Sequence, residues 1–131
     1  MRIQVKDFMS TPVKTTIEEK RLGDLRRIMI ATGIHAFPVV QYTKTLPEVE
    51  IHLKGIITAT DLCEHTNDWL FVKDIMTPKV HIIHKHSSAQ AAAKMMLKKQ
   101  VHHLVVMDDG KIVGMVSSLD FAKLVAEHTL D

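Results

Sequence analysis

Val-Lys-Asp-Phe-Met-Ser at residues 5–10 returns at residues 72–77 as Val-Lys-Asp-Ile-Met-Thr, an offset of 67 residues. The same offset pairs Val13 with Val80, Met29 with Met96, His35 with His102 and Val39 with Val106. Together with Val5, Lys6, Asp7 and Met9 against Val72, Lys73, Asp74 and Met76, that makes eight identities over residues 5–40. Unrelated sequence of ordinary composition would give roughly two. Other pairs keep their apolar character, as Ile34 does with Val101 and Phe37 with Leu104. Self-similarity at a fixed offset marks one structural unit built twice.

Beyond residue 40 the offset falls to 59, and Gly55-Ile56-Ile57-Thr58-Ala59-Thr60-Asp61-Leu62 aligns with Gly114-Met115-Val116-Ser117-Ser118-Leu119-Asp120-Phe121. The first copy therefore carries about eight additional residues (67 minus 59), placed within Gln41–Leu53. The second copy has only the short turn Asp108-Asp109-Gly110 there. A hairpin tip is where chain entropy tolerates such an insertion best.

Each copy reads as β-α-β-β-α. The expected first strands are Val13–Thr15 and Val80–Ile83. A helix follows, with Leu22, Leu25, Ile28 and Met29 on one face of the first and Ala89, Ala92, Ala93 and Met96 on the second. Gly33 suits the stop of the first helix, and Ser87 or Ser88 the start of the second. Then come the strand pairs Phe37–Val40 with Ile51–Ile57, and Leu104–Met107 with Ile112–Val116. Thr58 and Ser117 are expected to cap a closing helix each; Phe121, Leu124 and Val125 share a face of the second. The expected class is α/β in the broad sense, α+β. The first repeat is placed at residues 1–68 and the second at 69–131. One such unit buries too little apolar surface to stand alone. Two are expected to pack sheet to sheet about a pseudo-twofold axis, which creates two related clefts of the kind that commonly hold ligands.

Composition narrows the function. Aromatic residues are only 5% of the 131, so the core comes from Val, Ile, Leu, Met and Ala. The net charge of +2 is small and no basic stripe stands out, which argues against nucleic acid as a partner. Cys63 is the single cysteine, so an intrachain disulfide is impossible and a reducing compartment is expected. Residues 1–10 lack the apolar core of a signal peptide, and no run of about 18 apolar residues occurs, so a cytoplasmic protein without membrane association is expected. No nucleophile–base–orienter set, Walker motif or His-Glu-x-x-His is present, which argues against an enzyme.

The ordered series Met-[Ser/Thr], helix, apolar His-bearing strand, then Gly-h-h-[Thr/Ser]-x-x-Asp (h apolar) resembles the cystathionine-β-synthase (CBS) domain. Its duplication resembles the tandem CBS pair, or Bateman module. The resemblance covers about residues 3–128. It implies a regulatory module that binds AMP, ADP, ATP or S-adenosylmethionine between its repeats, forms homodimers, needs no cofactor, and signals to an effector protein the sequence does not name.

The resemblance also implies site residues. A carboxylate accepts a hydrogen bond from each of the two vicinal ribose hydroxyls, and such charge-assisted bonds are about twice as strong as neutral ones. That role falls to Asp61 and Asp120, with Thr58 and Ser117 as donors to phosphate. In the family, adenine lies against the starts of the first and second strands, typically of the repeat opposite the aspartate. One expected site thus joins Thr58, Thr60 and Asp61 with Lys79, Val80, His81, His102 and His103. The other joins Ser117 and Asp120 with Pro12, Val13, Lys14, His35 and Ala36. The Asp61 site is expected to be the better formed, because Thr60 stands where the other has Leu119 and because Lys79 and the histidines supply cations. Ser/Thr-x-x-Asp at a helix start is equally an ordinary capping box. The family's proline in the second strand is kept as Pro38 and replaced by Val105.

Nine histidines are many for this length, and His81, His84 and His86 cluster. Without a cysteine partner or a zincin motif no metal site is expected, and exposed or phosphate-facing histidines are the preferred reading. Cys63 is expected to be buried, and Trp69 to anchor the link between the repeats. The alternative function is a structural or protein-interaction module with degenerate, non-binding sites.

Overall fold

The computed structural model describes residues 2–45 and 48–128. Leu46 and Pro47, inside the expected insertion, lie outside the described residues. The chain folds as two compact units: Lys14–Val80, and Met1–Val13 together with His81–Asp131.

The Lys14–Val80 unit contains α2 (Leu22–Thr32), β1 (Ala36–Thr45), β2 (Glu48–Thr58), α3 (Ala59–Glu64) and α4 (Val72–Ile75). Strands β1 and β2 pair antiparallel from Ala36↔Thr58 to Thr45↔Glu48, with an irregularity between Val39 and Val40 where Lys54 is skipped. The described part of the insertion lengthens both strands, because Val40, Tyr42, Ile51 and Leu53 continue the paired register. Helix α2 lays Leu22, Leu25 and Met29 on Phe37, Val39 and Ile57, and Leu62 and Val72 complete this core. Gly33 ends α2 at φ 70°, the left-handed conformation expected of a C-terminal stop.

The expected strand Val13–Thr15 does not form. One residue, Thr16, makes a parallel bridge to Val39, donating its N–H to the Pro38 carbonyl at 3.0 Å and accepting from the Val40 N–H at 2.9 Å. At the corresponding position the second copy has Ile83, which is buried in a core, and there the strand does form. Thr16 is also buried, yet its hydroxyl has no hydrogen-bond partner among the described residues, so it anchors its segment less well.

The second unit holds α1 (Val5–Phe8), β3 (Ile82–His84), α5 (Ala89–Lys99), β4 (His103–Asp108), β5 (Lys111–Ser117) and α6 (Ser118–Glu127). Its sheet order is β3-β4-β5, with β3 parallel and β5 antiparallel to β4. Val5, Ile83, Ala92, Met96, Leu104, Val106 and Val116 form its core. Ser88 caps α5, its hydroxyl accepting from the Ala91 N–H at 3.0 Å. Asp109 and Gly110, at φ 51° and 72°, make the β4–β5 turn.

The repeated Val-Lys-Asp-h-Met elements are exchanged between the units. Helix α1 opens the first repeat but packs with the second: the Val5 and Lys6 N–H groups donate to Ser87 and Lys85 carbonyls at 2.8 and 2.9 Å. Helix α4 opens the second repeat but packs with the first, where the Val72 and Lys73 N–H groups donate to Lys20 and Glu18 at 2.8 and 3.0 Å. Each element ends in a bridge onto a strand, Ser10↔Met115 and Thr77↔Ile56. The sequence repeats and the compact units thus differ in the segments they own.

Two sequence expectations are corrected here. Cys63 is exposed, because α3 stops at Glu64 and buries only Leu62. Trp69 does not anchor the link with its side chain, which is 78% exposed. Its backbone does so instead, the N–H donating to Asn67 and the carbonyl accepting from Arg21.

Candidate functional site

The two Ser/Thr-x-x-Asp elements stand where a strand hands over to a helix. At the end of β2, Thr58 is extended (φ −122°, ψ 165°) and its hydroxyl accepts from the Asp61 N–H at 3.3 Å. Asp61 Oδ2 accepts from the Thr58 N–H at 2.9 Å. At the end of β5, Ser117 and Asp120 repeat this box with the same two distances, 3.3 and 2.9 Å. The capping reading therefore holds at both positions, and it occupies one carboxylate oxygen of each aspartate.

The remaining oxygens differ. Asp120 Oδ1 accepts a hydrogen bond from the Ser10 hydroxyl at 2.8 Å, and Oδ2 takes a further one from the Ser117 hydroxyl at 3.2 Å. Asp120 is only 6% exposed. Asp61 is half-buried, and its Oδ1 has no partner among the described residues. Thr77, which repeats Ser10, makes no corresponding bond among the described residues. Sequence reasoning did not single out Ser10. The only signal was its place in the recurring Met-[Ser/Thr] pair, and Asp120 lies 110 residues away.

The opening residues of the paired strands flank each box. Ala36 faces Thr58 across β1–β2, and the Ala59 N–H donates to the His35 carbonyl at 2.7 Å. His103 faces Ser117 across β4–β5, and the Ser118 N–H donates to the His102 carbonyl at 3.1 Å. The His102 ring Nδ1 lies 3.3 Å from the Ser118 hydroxyl. The structure thus brings together His35, Ala36, Thr58 and Asp61 in one unit, and His102, His103, Ser117 and Asp120 in the other. Lys14, Thr60, Lys79 and Val80 belong to the Asp61 unit, and Pro12, Val13 and His81 to the Asp120 unit. Thr60, Lys79, Lys14, His35, His102 and Pro12 are exposed, Val13, Val80, His81 and His103 are half-buried, and Ala36 is buried. The His81 carbonyl accepts from the Val105 N–H at 3.0 Å, which fixes the start of the β3 segment.

His84 is the last residue of β3 and His86 falls in the following turn, their ring centroids 5.2 Å apart. His84 Nε2 lies 3.4 Å from Asp108 Oδ1, and Lys85 Nζ lies 2.8 Å from Asp108 Oδ2. The hydrogen bond from Lys85 holds the Asp108 carboxyl below its ordinary value against the opposing effect of burial, with smaller help from the charges of Lys85, His84 and His86. No group of three His, Cys, Asp or Glu side chains suited to a metal ion occurs among the described residues.

The family model for the CBS domain matches residues 5–68 and again residues 72–127. The chain belongs to the CBS domain family. It is a tandem CBS pair with an α+β fold. Among solved structures, the CBS domain pair of protein MJ0100, in complex with 5′-methylthioadenosine and S-adenosyl-L-methionine, superposes with a TM-score of 0.80 at 26% identity, covering 97% of this chain and 98% of that one. The CBS domain of a bacterial CNNM/CorC-family Mg2+ transporter in complex with ATP shares the fold, with a TM-score of 0.75 at 20% identity over 97% of this chain and 89% of that one. Among curated proteins, inosine-5′-monophosphate dehydrogenase of Korarchaeum cryptofilum is 30% identical over 118 residues, which are 89% of this chain and 23% of that enzyme. The CBS pair thus spans less than a quarter of this relative's length. No described helix is long and apolar enough to cross a membrane.

Proposed function

We propose that this CBS pair is a regulatory module that binds an adenosine-containing ligand at the Asp61 position and passes its occupancy to an effector protein. The observation that carries this reading is the unpaired outer oxygen of Asp61, held by a capping box beside His35 and Ala36. A carboxylate fixed through one oxygen offers the other to a ribose hydroxyl without loss of side-chain freedom. The ligands of MJ0100 and of the transporter domain share an adenosine group, and its vicinal diol is what such a carboxylate recognises. AMP, ADP, ATP and S-adenosylmethionine are the candidate ligands. The module acts as a homodimer, in a reducing compartment suited to the exposed thiol of Cys63. Regulation needs only that the ligand bind one arrangement better than another. Catalysis by this chain is no part of the reading.

Calorimetric titration with the four candidates tests the proposal. At least one binds, and Asp61→Asn weakens it by about 10- to 100-fold, the range for losing a hydrogen bond to a charged group. Absence of heat and of thermal shift with all four at millimolar ligand overturns it.

One observation favours the degenerate-site alternative at the Asp120 position alone: that carboxylate is nearly buried and both its oxygens are engaged. The sites are therefore unequal, with the Asp61 position the stronger.

A further inference from the structure

We infer that Ser10 is the residue that keeps the Asp120 position closed, so that a ligand there and the docking of Met9 and Ser10 oppose one another. The inference rests on the ligand reading above, which it extends from which site binds to what controls the other.

Asp120 Oδ1 is the counterpart of the Asp61 oxygen that would meet a ribose hydroxyl, and the Ser10 hydroxyl already donates to it at 2.8 Å. A ribose hydroxyl brings the same donor to the same oxygen. A carboxylate oxygen can accept more than one bond, so the competition is for space: Asp120 is 6% exposed, and the Ser10 hydroxyl stands where a ribose hydroxyl would have to approach Oδ1.

Ser10 is held by more than its side chain. Its N–H donates to the Met115 carbonyl at 2.8 Å and its carbonyl accepts from the Met115 N–H at 3.1 Å. Met9 sits against Gly114, whose missing side chain leaves room for it. The hydroxyl and the two backbone bonds together hold Met9 and Ser10 in one place, so a ligand that takes the room of the hydroxyl loosens that contact. The other end of the segment is independent of Asp120. Val5 is fully buried, and the Val5, Lys6 and Ala89 N–H groups bond to Ser87, Lys85 and Ile3 carbonyls at 2.8, 2.9 and 2.8 Å. Release at Ser10 therefore leaves α1 docked. Nor is the segment close-packed near the carboxylate: Asp120 borders a cavity of about 390 Å3 that Arg2, Ile3, Phe8, Lys123 and Leu124 also line.

Linkage makes the effect reciprocal. Whatever factor Ser10 takes from ligand affinity at Asp120, the ligand takes from the docking of Met9 and Ser10. Occupancy of the second position is thereby converted into exposure of a defined stretch of chain.

The test compares Ser10→Ala and Ser10→Thr with the parent chain, using S-adenosylmethionine and AMP as probes. Ser10→Ala is expected to tighten the weaker binding event about tenfold, the range for one hydrogen bond. It is also expected to accelerate amide exchange at Ser10 and Met115 without ligand, while Val5 and Lys6 keep their protection. Ser10→Thr retains a hydroxyl donor and is expected to match the parent. If the parent binds ligand but Ser10→Ala leaves both the weaker event and the Ser10 exchange unchanged, the inference falls and the function stands. If neither probe binds any of the three chains, both fall.

Discussion

Replacing Gly55 by alanine puts a methyl group where the backbone of the exchanged segment already runs. An ideal Cβ at Gly55 lies 2.7 Å from the Thr77 carbonyl oxygen and 2.9 Å from Met76 Sδ. An ordinary carbon–oxygen contact is about 3.3 Å, so one backbone must retreat by roughly 0.6 Å. The retreating carbonyl is the acceptor of the Ile56 N–H, and the Thr77 N–H returns a bond to Ile56, each 2.9 Å. Overpacking costs about 1–3 kcal/mol, loosening of the bonds adds about 1 kcal/mol, and the stiffer unfolded chain gives back about 0.4–1 kcal/mol. The net loss is about 1–3.6 kcal/mol, or a fall in Tm of about 4–14 °C for a chain of this size. Gly114 is the built-in control. There the methyl meets only side-chain atoms of Met9, Cγ at 2.9 Å and Cε at 3.3 Å besides Sδ, and a methionine has torsions free to turn away. Gly114→Ala is expected to cost under about 1 kcal/mol, and Met9→Ala to relieve it. Differential scanning calorimetry of both variants decides. Equal losses, or a larger loss at Gly114, would refute the argument from backbone against side chain.

Two further predictions concern single groups. Thr16→Val removes a buried hydroxyl that has no partner among the described residues and keeps the shape of the side chain. It is expected to raise stability by about 1 kcal/mol in denaturant unfolding, and a loss of that size would mean that the hydroxyl is satisfied. Lys85→Met removes the main cause of the lowered Asp108 pKa. The Asp108 carboxyl should then titrate at higher pH in an NMR titration. Because the folded pKa is the depressed one, this pair's contribution to stability is present above the ordinary carboxylate range and is lost as pH falls through the folded value. The two chains should therefore converge in strong acid, and an unmoved Asp108 titration would contradict the assignment.

The duplicated scaffold was readable because its signals are local. Gly33 needs a left-handed φ, Asp109-Gly110 needs a tight turn, and Thr58, Ser88 and Ser117 each cap the helix that follows. Asp61 and Asp120 were legible as capping residues in the same way, since a capping box spans only four residues. What escaped depends on pairings between distant residues. Val-Lys-Asp-h-Met occurs in both repeats, so its sequence cannot say which body it docks on. The engagement of Asp120 by Ser10 lies behind that same ambiguity. The first strand failed for a subtler reason: Thr15 and Thr16 carry good strand propensity, but Thr16 supplies none of the apolar packing that Ile83 gives its counterpart. Cys63 was misjudged because its helix was expected to bury it, whereas the six-residue α3 buries only Leu62.

The exchange of leading elements also sets the order in which the chain can assemble. Every hydrogen bond and core contact of the Lys14–Val80 unit joins residues of one continuous stretch, so this unit can form as soon as that stretch has been synthesised. The other unit needs Val5 to meet Ser87, a closure across an intervening stretch that has itself become a folded body. Loop-closure entropy and contact order both place that step second. Until it happens, Val5 and Phe8 remain apolar residues without a core, so the interval before residue 116 leaves the ribosome is when this protein has most need of a chaperone.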